Sequence, residues 1–203
     1  MKKAIIGAAI LLTSGMMGQQ SPSTPSPSIP FGWDYRKAEQ VDYRNTISTA
    51  KELSSADRAA LIDALAAQLG DIPLEAQKPA RVIAAEIPIK LVDLNDDGKP
   101  EVVAQAARKY GCSPTGNCGF WVFQRVTSGY SLLLESEAQI FRIQSKTTNR
   151  FRDIVLSRHS SAFESEVTEY KFNGTSYVTN ACYEFLWGTG DQTFKDPHVT
   201  PCN

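Results

Sequence analysis

The chain has 203 residues, 42% of them hydrophobic, and 21 Lys and Arg against 22 Asp and Glu give a formal charge of −1. That balance excludes the basic footprint by which proteins grip nucleic acid or anionic lipid. The length suits one hydrophobic core and crowds two.

Residues 1–20 read as a signal peptide. Lys2 and Lys3 precede the apolar run Ala4 to Leu12, and small and polar residues follow through Thr13, Ser14 and Gly15. The run is about half of the roughly 20 residues that span a bilayer, which predicts export and no membrane span in the mature chain. Gly15 and Gly18 both suit the last residue before cleavage. Residues 21–34 form a Pro/Ser-rich spacer, since Pro22, Pro25, Pro27 and Pro30 prevent a helix or a strand ladder. What remains, residues 35–203, is expected to be a single domain of roughly 170 residues. Processing that removes Lys2 and Lys3 would leave a chain near −3, the whole-chain −1 less two. The expected compartment is the periplasm or the extracellular medium.

Within the domain, Tyr35 to Leu53 is polar and reads as weak helix or loop. Ser54 to Leu69 is the clearest helix: Ser54 or Ser55 can cap it, Asp57 sits in the first turn, and Leu61, Ile62, Leu65 and Leu69 share one face. Gly70 stands where a left-handed terminating residue is expected. After Pro79 the composition turns β-branched. Strands are predicted near Arg81 to Val92, Glu101 to Ala107, Gly119 to Val126, Tyr130 to Glu135, Phe151 to Ser157, Glu166 to Phe172 and Ser176 to Asn180. Thr127-Ser128-Gly129 and Asn173-Gly174-Thr175 read as hairpin turns. The expected fold class is α+β, an N-terminal helix followed by a largely antiparallel, meander-type β-sheet. A weak two-fold internal repeat runs through it, with Glu101-Val102-Val103, Phe120 to Phe123 and Gly129-Tyr130 matching Asp153-Ile154-Val155, Glu169 to Phe172 and Gly174 to Tyr177. Two copies suit one twisted sheet or two partial blades and are too few for a closed propeller.

The strongest motif joins two of these strands. In Asp93-Leu94-Asn95-Asp96-Asp97-Gly98-Lys99-Pro100-Glu101, oxygen-bearing side chains fall at 93, 95 and 97 before a glycine that permits a sharp turn. That spacing is how a short loop wraps oxygens around a hard cation, and it points to Ca2+. An EF-hand needs a bidentate glutamate at its twelfth position, which here is Ala104. A polar turn rich in Asn, Asp and Gly is the plain alternative.

The same stretch through Val103 resembles the calcium loop of FG-GAP or VCBS-type repeats, found in integrin-like propellers. The resemblance implies side-chain oxygens from Asp93, Asn95, Asp97 and Glu101 and a backbone carbonyl from Lys99. Glu101 stands where that family usually has Asp, and the likeness covers about a dozen residues, so it extends to the loop and not to the propeller. More broadly, the chain resembles exported bacterial proteins that carry one such loop and a cysteine-bracketed turn.

Four cysteines, Cys112, Cys118, Cys182 and Cys202, predict disulfides in an exported chain. Three pairings are open, and the favoured one is Cys112–Cys118 with Cys182–Cys202. Neither close pair has the two-residue spacing of a zinc knuckle, and His159 and His198 lie apart from them in sequence.

Catalytic patterns are weak. His159 precedes Ser160 and Ser161 with no Gly-x-Ser-x-Gly elbow, and His198 has no evident partner. Asp153, Glu164, Glu166 and Glu169 offer carboxylates for acid/base work without fixing their separation. Aromatics at Phe120, Trp121, Phe123, Tyr170, Phe172 and Tyr177 suit a binding platform or, more simply, a core. Tyr183, Phe185, Leu186 and Trp187 are expected in a disulfide-closed loop. These features favour an exported, non-enzymatic binding domain with one structural calcium site. Its expected partner is an envelope or extracellular protein or glycan. Two alternatives are an exported inhibitor presenting the Cys112–Cys118 loop, and a hydrolase with a carboxylate site assembled by the fold.

Overall fold

The computed structural model describes residues 39–202, so the expected signal peptide and spacer lie outside the described residues. In chain order these residues form β1 (Glu39–Gln40), β2 (Asn45–Thr46), α1 (Ser55–Ala66), α2 (Ile72–Glu75), α3 (Ala80–Glu86), β3 (Pro88–Val92) and β4 (Glu101–Gln105). There follow β5 (Cys118–Val126), β6 (Gly129–Ala138), β7 (Ile140–Thr148), β8 (Phe151–His159), β9 (Glu164–Phe172), β10 (Tyr177–Thr189) and β11 (Gln192–Pro201). None of the described helices is long and apolar enough to cross a membrane.

The expected α+β class with its single meander is corrected. The structure is mostly β, 50% strand and 14% helix, and the strands divide into two antiparallel sheets. The five-stranded sheet runs β2-β3-β4-β5-β6 and the six-stranded sheet runs β1-β7-β8-β9-β10-β11. The two halves of the sequence repeat therefore fall in different sheets. They are not equivalent in orientation either: Val103 and Ile154 both face the space between the sheets, although the repeat aligns Ile154 with Val102.

Side-chain alternation builds three layers. On β4 and β5, Val102, Ala104, Trp121 and Phe123 pack with Leu61, Leu65, Leu69 and Ile83 of the helical layer. The intervening Val103, Phe120 and Val122 pack with Phe141, Ile143, Ile154 and Leu156 of the six-stranded sheet. The five-stranded sheet is thus covered on both faces, which explains why Phe120-Trp121-Val122-Phe123 is an unbroken apolar run. Phe120, Trp121, Phe123, Phe172 and Tyr177 are all buried and form core, and Tyr170 is half-buried against it.

The helix α1 forms as its sequence predicts. The Ser54 hydroxyl accepts a hydrogen bond from the Asp57 N–H at 3.1 Å, closing the N-terminal cap. The predicted strand at Arg81 is corrected, because Ala80–Glu86 is the helix α3 and pairing begins at Pro88. Pro79 precedes the first turn, the alanines favour helix, and Ile83, Ala84 and Ile87 are buried while Val82 stays exposed, a helical and not an alternating pattern. Tyr183, Phe185, Leu186 and Trp187 are likewise in a strand and not a loop. They belong to β10, which turns at Gly190, with φ 58°, into the edge strand β11.

Both disulfides join the favoured partners, Cys112 to Cys118 and Cys182 to Cys202, and none of the described cysteines is free. The second ties β10 to the end of β11, where the Cys202 N–H also donates to the Cys182 carbonyl at 3.0 Å.

Candidate metal centre

The loop 93–101 links β3 to β4, two neighbouring strands of the five-stranded sheet paired from Ile89–Ala104 to Val92–Glu101. Its conformation is fixed by left-handed backbone at Asp96 (φ 57°) and Gly98 (φ 79°). Glycine adopts the second at no steric cost, and Asp is among the few residues that tolerate the first.

Around that turn the loop's side-chain oxygens point inward onto its own backbone. One Asp93 oxygen accepts from the Asp97 N–H at 3.2 Å and the other from the Gly98 N–H at 2.8 Å. Asn95 Oδ1 accepts from the Asp97 N–H at 3.0 Å, and Asp97 Oδ1 accepts from the Lys99 N–H at 2.8 Å. Asp96 and Asp97 are exposed, Asp93 and Asn95 half-buried.

Glu101 lies beneath them and is only 1% exposed. One carboxylate oxygen accepts from the Leu94 N–H at 2.9 Å. The other has only two long contacts, Asn95 Nδ2 at 3.5 Å and Gln124 Nε2 at 3.4 Å. Burial pushes the Glu101 carboxyl above its usual range. The Leu94 hydrogen bond opposes that rise, while the charges of Asp97 and Asp93 add to it. The ion pairs of Arg44, Lys78, Arg81, Lys109, Arg125, Arg158 and Lys171 all go to acids other than Asp93, Asp97 and Glu101.

The loop is locked to the second sheet. Leu94 is fully buried among Phe141, Phe151 and Tyr177, and the Arg152 N–H of β8 donates to the Leu94 carbonyl at 2.7 Å. Gln124 and Arg152 were invisible to sequence reasoning. Gln124 reaches Glu101 only because the β4–β5 register sets Val102 opposite Phe123, and Arg152 arrives from the other sheet.

All five predicted positions therefore share one turn, with Asp93, Asn95, Asp97, Glu101 and the Lys99 carbonyl offering oxygen donors and no softer atom. That donor chemistry fits a hard divalent cation. Among the described residues, the group of three His, Cys, Asp or Glu side chains with ligand atoms within 4.8 Å of one another is Glu166, Cys182 and Cys202. Its sulfurs are consumed in a disulfide, which leaves no thiolate for a metal. The loop carboxylates stand wider apart, each drawn to the N–H groups of its own turn.

The other nominated residues scatter. Asp153 and Glu169 are buried beside each other's charge on β8 and β9, whereas Glu166 pairs with Arg158 at 3.3 Å near the Cys182–Cys202 bridge. Glu164 and His198 share a groove of about 400 Å³ with Glu184, but no hydrogen bond or ion pair joins them among the described residues. His159 is occupied through its backbone, its N–H donating to Asn117 Oδ1 at 2.9 Å and its carbonyl accepting from Asn117 Nδ2 at 2.8 Å. Ser113, Pro114 and Thr115 of the cysteine loop are exposed.

The arrangement defines a class: a β-rich, disulfide-stapled domain with an acidic strand-to-strand turn over a buried carboxylate. Comparison with models of protein families, with curated proteins and with solved structures returned no match.

Proposed function

We propose that the chain is an exported, non-enzymatic binding domain in which loop 93–101 holds one structural calcium ion. The observation that carries this reading is Glu101, a buried carboxylate whose carboxyl is raised by burial and further by the like charges of Asp97 and Asp93. An ionised carboxylate withdrawn from water is costly unless a positive charge meets it, and the charges that act on Glu101 are those of Asp97 and Asp93. A calcium ion bound by Asp93, Asn95, Asp97, Glu101 and the Lys99 carbonyl would draw these oxygens together and fix the corner between β3 and β4 against β8. The paired cysteines support an oxidising compartment, where calcium is also plentiful.

The test is calorimetric titration of the chain with calcium, with melting curves in calcium and in chelator. At 100 times Kd, a ligand that binds only the folded state adds about 2.7 kcal/mol, equivalent to a Tm rise of roughly 5–10 °C for a domain of this size. Asp97→Ala should lose both heat and shift. Absence of saturable binding in the unaltered chain would remove the calcium site. A second reading has one observation in its favour: the exposed residues 113–115 are held between a disulfide and the Asn117–His159 hydrogen bonds, the preorganised presentation an inhibitor loop requires.

A further inference from the structure

The two disulfides differ in what surrounds their sulfurs. Cys182 and Cys202 are both half-buried, and a Glu166 carboxylate oxygen lies within 4.8 Å of their Sγ atoms. Thr168, opposite Cys182 in the β9–β10 register, sets its hydroxyl 3.2 Å from Glu166 Oε1 and 3.7 Å from Cys182 Sγ. Arg158 holds the other carboxylate oxygen, Nε to Oε2 at 3.3 Å. A groove of about 270 Å³, whose lining includes Ser136, Glu137, Arg158, Glu166, Thr168 and Tyr170, gives access to this group. The other bridge has carbonyl oxygens against its sulfurs instead. Those of Ala106 and Ala107 are each 3.5 Å from Cys112 Sγ, that of Gly116 is 3.5 Å from Cys118 Sγ, and Cys118 is only 5% exposed. A sulfur leaving a disulfide takes up negative charge, which a hydroxyl proton stabilises and a carbonyl oxygen repels.

We propose that Cys182–Cys202 is a thiol–disulfide exchange site, opened by a protein dithiol, and that the closed bridge latches the outer half of β11. A thiolate of the dithiol attacks Cys202 Sγ and a new sulfur–sulfur bond forms there, while the Cys182–Cys202 bond breaks with its electron pair going to Cys182 Sγ. The Thr168 hydroxyl, which serves Glu166 in the closed bridge, turns to the new thiolate, and Arg158 keeps the carboxylate partnered meanwhile. Cys182 then takes a proton from solvent. The Cα atoms of the pair are 5.3 Å apart, so Cys182 can return to the mixed disulfide and expel a monothiol. A dithiol escapes that reversal. Its second thiolate attacks its own sulfur in the mixed disulfide and releases Cys202 as a thiol, so the dithiol is oxidised and the bridge reduced. What this frees follows from the register. Tyr183 to Leu186 pair with Pro201 to His198, and Gly188 and Thr189 pair with Thr193 and Gln192, but between these two patches Trp187 alone faces residues 194–197. Pro197 brings no N–H to the ladder. The outer patch is thus cut off from the turn at Gly190, and the bridge, with the Cys202 N–H on the Cys182 carbonyl, fastens it.

The test is timed reduction of the full, folded chain with dithiothreitol, quenched with N-ethylmaleimide and followed by peptide mapping. Labelled Cys182 and Cys202 should appear while Cys112–Cys118 stays closed; equal rates or the reverse order would overturn the assignment. Thr168→Val keeps the side chain's shape and removes its hydroxyl. It should slow the opening of Cys182–Cys202 about fivefold without changing that of Cys112–Cys118, and Thr168→Ser should restore the rate. A valine chain that opens at the original rate, or a serine chain as slow as the valine one, would overturn the exchange site and leave a plain structural bridge. Amide hydrogen exchange of the chain reduced at this bridge alone tests the latch. Protection should fall about tenfold at 183–186 and 198–202 while β4 and β5 keep theirs; unchanged protection at 183–186 and 198–202 would overturn the latch.

Discussion

Glu101 opens β4 of the five-stranded sheet, and Asp153 lies near the start of β8 in the six-stranded one, at the position the sequence repeat aligns with it. Both are almost wholly buried and burial pushes both carboxyls upward. Their surroundings differ in sign. The charges nearest Glu101 are Asp97 and Asp93, which resist its ionisation further. On Asp153 the Thr148 hydroxyl opposes the rise, Glu169 adds to it, and Lys171 and Lys146 oppose it again. The hairpin stretch before Asp153, residues 144–152 of β7, its turn and β8, carries Lys146, Arg150 and Arg152 and no acid, whereas residues 93–100 carry three aspartates and one lysine. The six-stranded sheet sets positive charges near its buried acid, and the charges that act on the buried acid of the five-stranded sheet are negative.

The largest effect that would break this contrast is at Glu101 itself. Glu101→Gln keeps an acceptor for the Leu94 N–H and removes the charge, its new amide facing the Asn95 and Gln124 amides, which can turn to present their oxygens. In chelator at pH 7 it should raise stability by about 1 kcal/mol, because an unpaired buried charge is lost without opening a cavity. In calcium the variant should show no rise in Tm. A glutamine chain that still gains several degrees from calcium would place the ion elsewhere.

The contrast was only half legible in the sequence. Asp93, Asn95, Asp97 and Gly98 are local, and alternate oxygens before a glycine specify the same turn wherever they stand. The burial of Glu101 is not local: it depends on Gln124 across the register and on Leu94 being pinned by Arg152 from the other sheet. The same division runs through the fold. Helix α1 was readable from its Ser54 cap and the Leu61–Leu65 stripe, which need no partner to be recognised. Strand β11 was not, since an edge strand containing Asp196 and Pro197 takes its conformation from β10 and from the Cys182–Cys202 bridge. The α3 segment misled because Val82 and Ile83 carry a strand signal that Pro79 and the alanines outweigh. An unbroken run such as Phe120 to Phe123 does not say how many layers cover it, and that count decides between one sheet and two.

A smaller effect sharpens the comparison through pH. The folded Glu101 pKa lies above its unfolded value, about 4.3, so between the two the folded chain holds more protons than the unfolded one. In chelator, the stability due to this group is therefore full below the unfolded pKa and is lost as pH rises through the folded value. Calcium competes for the same oxygens, so its increment must run the other way. The Tm difference between calcium and chelator should be near zero at pH 4 and widen steadily toward neutrality. A pH-independent difference would separate the ion from Glu101.

Asp153 gives the smallest change and the control. Its oxygens are buried without a well-formed hydrogen bond, and burial raises its pKa in the same direction as that of Glu101, with the Thr148 hydroxyl opposing the rise. Asp153→Asn should therefore gain a little stability at pH 8, about 0.5–1 kcal/mol, and lose that gain as pH falls from the folded pKa to the unfolded one, below which the aspartate is neutral in both states. The gain stays small because Lys171 and Lys146 already offset part of the charge. It should be the same in calcium and in chelator. If it were instead larger in chelator, the two acids would be coupled through Tyr177, which lies within electrostatic reach of both and donates its hydroxyl to the Arg152 carbonyl at 2.8 Å. The two sheets would then answer to one ion, and the apparent self-sufficiency of the six-stranded sheet would be a consequence of its neighbour's loop.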